Sequence, residues 1–281
     1  MISNLVSKFS LNKRLTLLIP YFLLAAIFII APLILLIVKS ASPVSDVVTG
    51  ETLDNWSPIK DGETWKIMWR SIYSGIIAGI ITMVIGIPFA YIVSRFNSKL
   101  YKTLAIALMI SPLFVFTIAK ALSLRGVLLS SFDEPSLNSN FVSIIGMAYL
   151  YLPFMIIPVY SVFSTMPKSL LEASHDLGDH SFSTLIKVVL PYSLRGIVSG
   201  FAVVFMMSAT SIVVSDKLLP SGFKQQTIGN LINQHSNLAN PFDIAKASTI
   251  SLITIFVMIS VYGLIYFVPQ LIVKLKGGVN V

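Results

Sequence analysis

Six stretches of this chain contain no charged residue and are long enough, or nearly so, to cross a lipid bilayer: 15–38, 71–94, 103–119, 142–163, 196–214 and 247–273. A helix rising 1.5 Å per residue needs about 20 residues to traverse a hydrocarbon core ~30 Å thick, and only the third stretch is marginal. A charge at mid-bilayer costs at least ~2.5 kcal/mol. All 20 basic and 12 acidic residues fall outside the six stretches, an arrangement chance would not produce.

The composition agrees. Charged residues make up 11% of the chain and hydrophobic ones 55%, with a mean hydropathy of +0.85. Soluble domains carry roughly 25% charged residues, and a soluble chain of 281 residues could not cover its core with so few. Intrinsic disorder and nucleic-acid binding are excluded despite the net charge of +8. There is no cysteine, hence no disulfide and no thiolate metal site. His175, His180 and His235 lie in polar connections without metal-ligand spacing, so neither a metal site nor a catalytic residue is expected. No G-x-x-x-x-G-K-[ST] phosphate loop is present.

The expectation is an all-α integral membrane protein with six transmembrane helices in a single domain spanning 1–281. The first stretch is longer than the apolar core of a cleavable signal and reads as an anchor. With the N-terminus inside, the inner segments hold Lys8, Lys13, Arg14, Arg95, Lys99, Lys102, Lys168, Lys187, Arg195, Lys274 and Lys276 against three acids, Glu172, Asp176 and Asp179. The outer loops, about 39–70, 120–141 and 215–246, balance nine bases with nine acids. Basic excess in short loops marks the cytoplasmic side, which places both termini there. In the first outer loop Trp65, Met68, Trp69 and Ile72 have helical spacing and predict an amphipathic turn in the outer interface, or simply the start of the second span. Pro20, Pro32, Pro88, Pro112, Pro153 and Pro158 punctuate the spans as hinges or as ordinary kinks.

The connection 164–195 is of another kind. Leu170, Leu171, Ala173, Ser174, Leu177 and Gly178 outline one short helix, and Phe182, Leu185, Ile186 and Val189 a second. Gly178 sits at the break, where glycine relieves a left-handed backbone. Pro191 closes the unit. Two amphipathic helices outside the bilayer suit a groove on a soluble partner. Lying flat on an anionic leaflet is disfavoured by Glu172, Asp176 and Asp179.

Glu172-Ala173-Ser174-His175-Asp176-Leu177-Gly178, nine residues, then Val188-Val189-Leu190-Pro191 resembles the E-A-A-x-x-x-G…I-x-L-P signature of ABC-importer permeases, with Ser174 for the second Ala and Val188 for Ile. Thr52-Leu53-Asp54-Asn55-Trp56 is similar to a T-L-D-N-Y box in their outer loop, and Gly86-Ile87-Pro88-Phe89-Ala90-Tyr91 to a stretch of the spermidine/putrescine permeases, whose B-type subunit the chain most resembles. Where that subfamily has an aromatic–Thr–Asn stretch and Arg, this chain has Phe114-Val115-Phe116-Thr117 and Lys120.

The resemblance implies a type I importer permease (MetI-like) fold with cytoplasmic coupling helices in a bacterial inner membrane. Glu172, Ala173, Ser174, Leu177, Gly178, Leu190 and Pro191 would then engage an ATPase. It implies a second homologous permease, two ATPase subunits that bind the ATP and Mg, and an external substrate-binding protein, with no cofactor in this chain. Phosphate, iron or thiamine importers share the fold and stay open as alternatives. A self-sufficient carrier is disfavoured because no ionisable residue lies within a span.

For the substrate path, Ser208, Ser211 and Ser215 are spaced for one helix face running toward Asp216, a weakly polar track for a polycation. Phe114 and Tyr151 would add aromatic faces. The competing reading is that such serines bond back to the helix or let helices pack closely. The orientation has a direct test: in a chain without native cysteine, a cysteine at Ser57 should label from outside the cell and one at Ser183 only from inside. The reverse pattern overturns the orientation.

Overall fold

The computed structural model describes residues 18–45, 52–219, 225–237 and 239–275, with the side chains of 134, 135 and 268–275 left aside. Lys8, Lys13, Arg14 and Lys276, on which the orientation partly rests, lie outside the described residues. Among the described residues, the helices of seven residues or more are α1 (Ile19–Ala41), α2 (Gly62–Ser94), α3 (Lys99–Phe114), α4 (Thr117–Leu129), α5 (Asn140–Thr165), α6 (Lys168–Asp176), α7 (Ser181–Tyr192), α8 (Leu194–Ala209), α9 (Ile228–Gln234) and α10 (Pro241–Leu275). Four of them, α1, α2, α5 and α10, are long and apolar enough to span a membrane. Counting the bent pairs α3–α4 and α7–α8 as one span each makes six. The protein is all-α, as expected.

Several boundaries differ from the sequence reading, each for a local reason. α2 begins at Gly62 rather than 71, because Asp61 caps it by accepting from the Glu63 N–H at 3.0 Å. Trp65, Met68, Trp69 and Ile72 are therefore its first turns, and no separate interfacial helix exists there. The third stretch, 103–119, is not one rod: α3 tightens into a 3₁₀ turn at Ser111–Phe114, which contains Pro112, and α4 leaves at 100°. α4 runs on through residues expected in a loop. The fifth stretch stops at Ala209, where the Thr210 hydroxyl bonds back to the Met206 carbonyl at 2.7 Å.

Two widened π turns, Ala26–Ile30 and Leu185–Val189, each end two residues before a proline, Pro32 and Pro191. A proline ring clashes with the carbonyl four residues back and offers no N–H, and a looser turn relieves both faults.

The chain divides into two compact units, Met1–Lys60 with His235–Ile253 and Asp61–Gln234 with Thr254–Val281. In the first, a two-stranded hairpin pairs β1 (Val44–Ser45) with β2 (Thr52–Leu53). The buried Asn55 follows it, and its amide donates to the Ser40 and Ser42 carbonyls at 3.2 and 2.7 Å, tying off the C-terminal end of α1. Asp54 accepts from the Trp56 N–H and pairs with Lys60 at 2.7 Å. The T-L-D-N box is thus a cap that fixes where the first helix ends.

In the second unit α2, α5 and α8 pack on one another around Met147, Leu150, Met155, Val159, Phe163 and Val204. Helices in lipid gain little from apolar contact alone, so close approach through small residues matters. A Cβ placed on Gly200 of α8 would lie 3.0 Å from the Met155 carbonyl oxygen of α5, and one on Gly79 of α2 would lie 2.8 Å from the Phe201 ring. Gly200→Leu should therefore push α5 from α8 and cost ~1–3 kcal/mol or more. Gly126→Ala, whose added Cβ meets nothing within 4 Å, should be neutral or slightly stabilising. Thermal unfolding midpoints in detergent compare the two.

Candidate coupling site and translocation face

The segment after α5 is built on a glycine turn. Among the described residues, Gly178 is the sole one with positive φ, at 86°. The Gly178 N–H donates to the His175 carbonyl at 2.9 Å and the Asp179 N–H to the Ser174 carbonyl at 3.1 Å. These are the two bonds of a Schellman turn, which satisfy the last carbonyls of α6 and reverse the chain into α7.

The resulting helix pair has two faces. Leu171, Leu185, Val188 and Leu190 pack against the bundle core, and Val189 is fully buried. On the other side Leu177 is 86% exposed and Phe182 73%, with Glu172 and Ala173 exposed nearby in sequence. Pro191 is exposed at the end of α7. Ser193, completely buried, donates its hydroxyl to the Val189 carbonyl at 2.7 Å at the 75° corner where α7 meets α8.

Ser174 explains its own departure from alanine. It is buried, its hydroxyl lies 3.0 Å from that of Thr184 on α7, and it donates to the Asp179 carboxylate at 3.4 Å. The same carboxylate accepts from Ser183 at 2.8 Å and pairs with Lys187 at 2.6 Å. The His175 ring nitrogen Nδ1 sits 3.0 Å from the Asp179 carbonyl oxygen. Hydrogen bonds from Lys187 and then Ser183 hold the Asp179 carboxyl below the usual carboxylate range. The stabilisation this implies is complete above the ordinary value, near 3.9, and is lost only as pH falls through the lowered one.

Sequence reasoning found the glycine turn and both helices but missed this network. It counted Asp179 only as one acid among three. The available signal was an acid directly before a helix, with serine four and lysine eight residues on.

The residues expected along a path are dispersed. Phe114 stands 85% exposed at the end of α3, as does Phe116 just beyond. Tyr151 is buried on α5 and donates to the Ser211 hydroxyl at 2.9 Å. Ser208, Ser211 and Ser215 are all buried, and they do not form one helical stripe, because α8 ends at Ala209 and residues 214–218 form a separate π turn. Ser215 donates to the Gln225 carbonyl at 2.9 Å, Thr227 to the Ser211 carbonyl, and the Ile228 N–H to the Ser71 hydroxyl at 2.7 Å. These bonds fasten the stretch leading into α9 onto the chain just beyond α8 and onto Ser71 within α2. Of the group, Asp216 is exposed and pairs with Lys217 at 2.9 Å. Lys120, where the resembled subfamily has arginine, is buried in α4. A cavity of about 280 Å³ between α2, α3 and α5 is lined by apolar side chains and Tyr149, without a charged group.

The fold is an all-α, multi-pass bundle with an exposed helix–glycine–helix unit between α5 and α8. Residues 83–274 match the model of the family described as binding-protein-dependent transport system inner membrane component, and the chain belongs to that family. Among relatives, a spermidine/putrescine transport system permease protein PotB homolog of Mycoplasma genitalium is 27% identical over 275 residues, covering 93% of this chain and 94% of that one. PotB of Escherichia coli is 31% identical over 218 residues, covering 72% and 78%. Two solved structures share the fold. A bacterial ABC transporter that imports the polysaccharide alginate matches with a TM-score of 0.65 at 18% identity, covering 92% of this chain and 97% of that one. The MetNI methionine ABC transporter, in an inward-facing form, gives 0.56 at 18%, covering 74% and 94%.

If Gly178 holds the turn, Gly178→Ala meets no steric obstacle, since nothing lies within 4 Å of its Cβ. It should still cost ~1–2 kcal/mol through the left-handed backbone. Hydrogen exchange should quicken at the amides of Gly178 and Asp179 while α5 and α8 keep their protection. Unchanged exchange at the turn overturns this assignment.

Proposed function

We propose that this chain is one permease subunit of an ATP-driven importer of polyamines, spermidine and putrescine being the leading members of that class. The observation that carries the coupling role is the helix pair itself, rooted in the core on one face and presenting Glu172, Leu177 and Phe182 on the other. Such a surface suits a cleft on a soluble ATPase. Glu172, Ala173, Leu177 and Gly178 would meet that partner. Ser174, Leu190 and Pro191 would shape the unit that does so. The substrate class is supported by the curated relatives, which are named as spermidine/putrescine permeases.

The full assembly would hold a second, homologous permease, two ATPase subunits that bind ATP and Mg, and a substrate-binding protein on the outer face, with both termini of this chain in the cytoplasm. Hydrolysis belongs to the ATPase chains, and this subunit supplies passage. Phe114 and Asp216 are the expected path residues that are exposed, and they offer an aromatic face and a carboxylate to a flexible polycation. The buried Tyr151, Ser211 and Ser215 would act indirectly, by holding the chain that borders the route.

In the reconstituted complex, spermidine or putrescine with the binding protein should stimulate ATP hydrolysis, and phosphate, iron or thiamine should not. Stimulation by one of those alone rejects the substrate class. Gly178→Trp should keep the bundle folded yet remove stimulated uptake, and normal uptake by that variant rejects the coupling role. Asp216→Asn should weaken polyamine transport more than ATPase binding.

A further inference from the structure

The proposed coupling surface would be of little use if its two helices moved independently. α6 and α7 are short, nine and twelve residues, and a glycine turn joins them. α6 follows the membrane helix α5 after Met166 and Pro167, and α7 leads into the membrane helix α8 through the corner at Ser193. α6 carries Glu172 and leads to the exposed Leu177. A push received on α6 passes along the chain to α8 through α7, and it arrives undiminished when α6 and α7 turn as one body.

Asp179 supplies the connection. It lies directly after the turn, and its carboxylate gathers donors from both sides: the Ser174 hydroxyl from α6 at 3.4 Å, and the Ser183 hydroxyl and Lys187 ammonium from α7 at 2.8 and 2.6 Å. Ser174 in turn sits 3.0 Å from the Thr184 hydroxyl, both buried. The two bonds from α7 are short and charge-assisted, the stronger class of hydrogen bond, while the Ser174 contact from α6 is longer. Three of the five participants are hydroxyls on short side chains, which lose little rotamer freedom when held.

We propose that Asp179 is a positioning residue for transport, joining α6 and α7 into a rigid lever that carries movement of the ATPase into α8. The inference rests on the ATP-driven reading given above, and it adds the residue that fixes the angle between the two helices. Neither Ser174 nor Thr184 could do this alone, since their mutual bond carries no net charge and leaves Lys187 unpaired.

The test uses the full permease in its assembled complex, with spin labels on cysteines introduced at Ser169 in α6 and Tyr192 in α7. Dipolar spectroscopy should give one narrow distance distribution for the parent and a broad one for Asp179→Asn, with Lys187→Met intermediate. In parallel, ATPase binding should persist in both variants, while polyamine delivered per ATP hydrolysed falls several-fold for Asp179→Asn and less for Lys187→Met. Narrow, parent-like distributions in both variants overturn the lever, whatever the cargo. A broad distribution with parent-like delivery per ATP overturns the coupling claim. A parent complex that takes up no polyamine counts against the substrate class alone, because the distance measurement does not depend on cargo.

Discussion

In a hydrocarbon medium every backbone N–H and C=O must find its partner within the protein, and the rest of this structure follows from that requirement. It makes the spans helical. It also means that each place where a helix breaks needs a local remedy. At Ser193 and Thr210 a side-chain hydroxyl bonds back to a carbonyl of the preceding turn. At Ser111, beside the sharpest bend, the hydroxyl donates to the Leu108 carbonyl at 2.9 Å. Before Pro32 and Pro191 the turn widens instead. Breaks so treated are stable corners, and they let one chain build straight rods, bent pairs and an external helix pair from the same material.

Packing among α2, α5 and α8 then depends on shape. Lipid tails are as apolar as leucine, so burying one more aliphatic side chain between helices gains little, whereas removing a Cβ lets two backbones meet. Gly75 against the Phe205 carbonyl and Gly200 against the Met155 carbonyl are such places. The polar residues in the same bundle serve as fasteners. Ser71 holds the Ile228 amide, and Ser211 receives both Tyr151 and Thr227. Of the hydroxyls spaced like a polar track in sequence, Ser211 and Ser215 are bonded in the folded chain to α5 and to the segment that precedes α9, while the Ser208 hydroxyl is buried without a hydrogen bond among the described residues.

The external helix pair obeys water's rules instead. A Schellman turn around Gly178, a salt-bridged carboxylate at Asp179 and an apolar inner face are the means by which a short soluble motif holds its shape. Its outer face leaves Leu177 and Phe182 uncovered within this chain beside exposed charged residues, which a solvated protein tolerates best when another surface covers them. Membrane physics thus governs the bundle and aqueous physics governs the coupling unit. The buried Ser193 corner is where one passes into the other.

By itself the sequence determined the all-α membrane class, the number of apolar segments, the helix–glycine–helix unit and the position of its turn. Hydropathy, charge exclusion and glycine preference are local properties, readable residue by residue. It did not determine where helices bend, because an apolar run such as 103–119 has the same composition whether straight or turned through 100°. It did not show that Asn55 caps α1 from 13 and 15 residues away, or that Ser174 replaces alanine in order to meet Thr184. Nor did it show that Ser208, Ser211 and Ser215 share no continuous helix. Helical spacing presumes a continuous helix, and the helix ends at Ala209. Those decisions belong to tertiary structure, for a physical reason: a hydrogen bond between distant residues or a Cβ clash between helices exists only once the backbones are side by side.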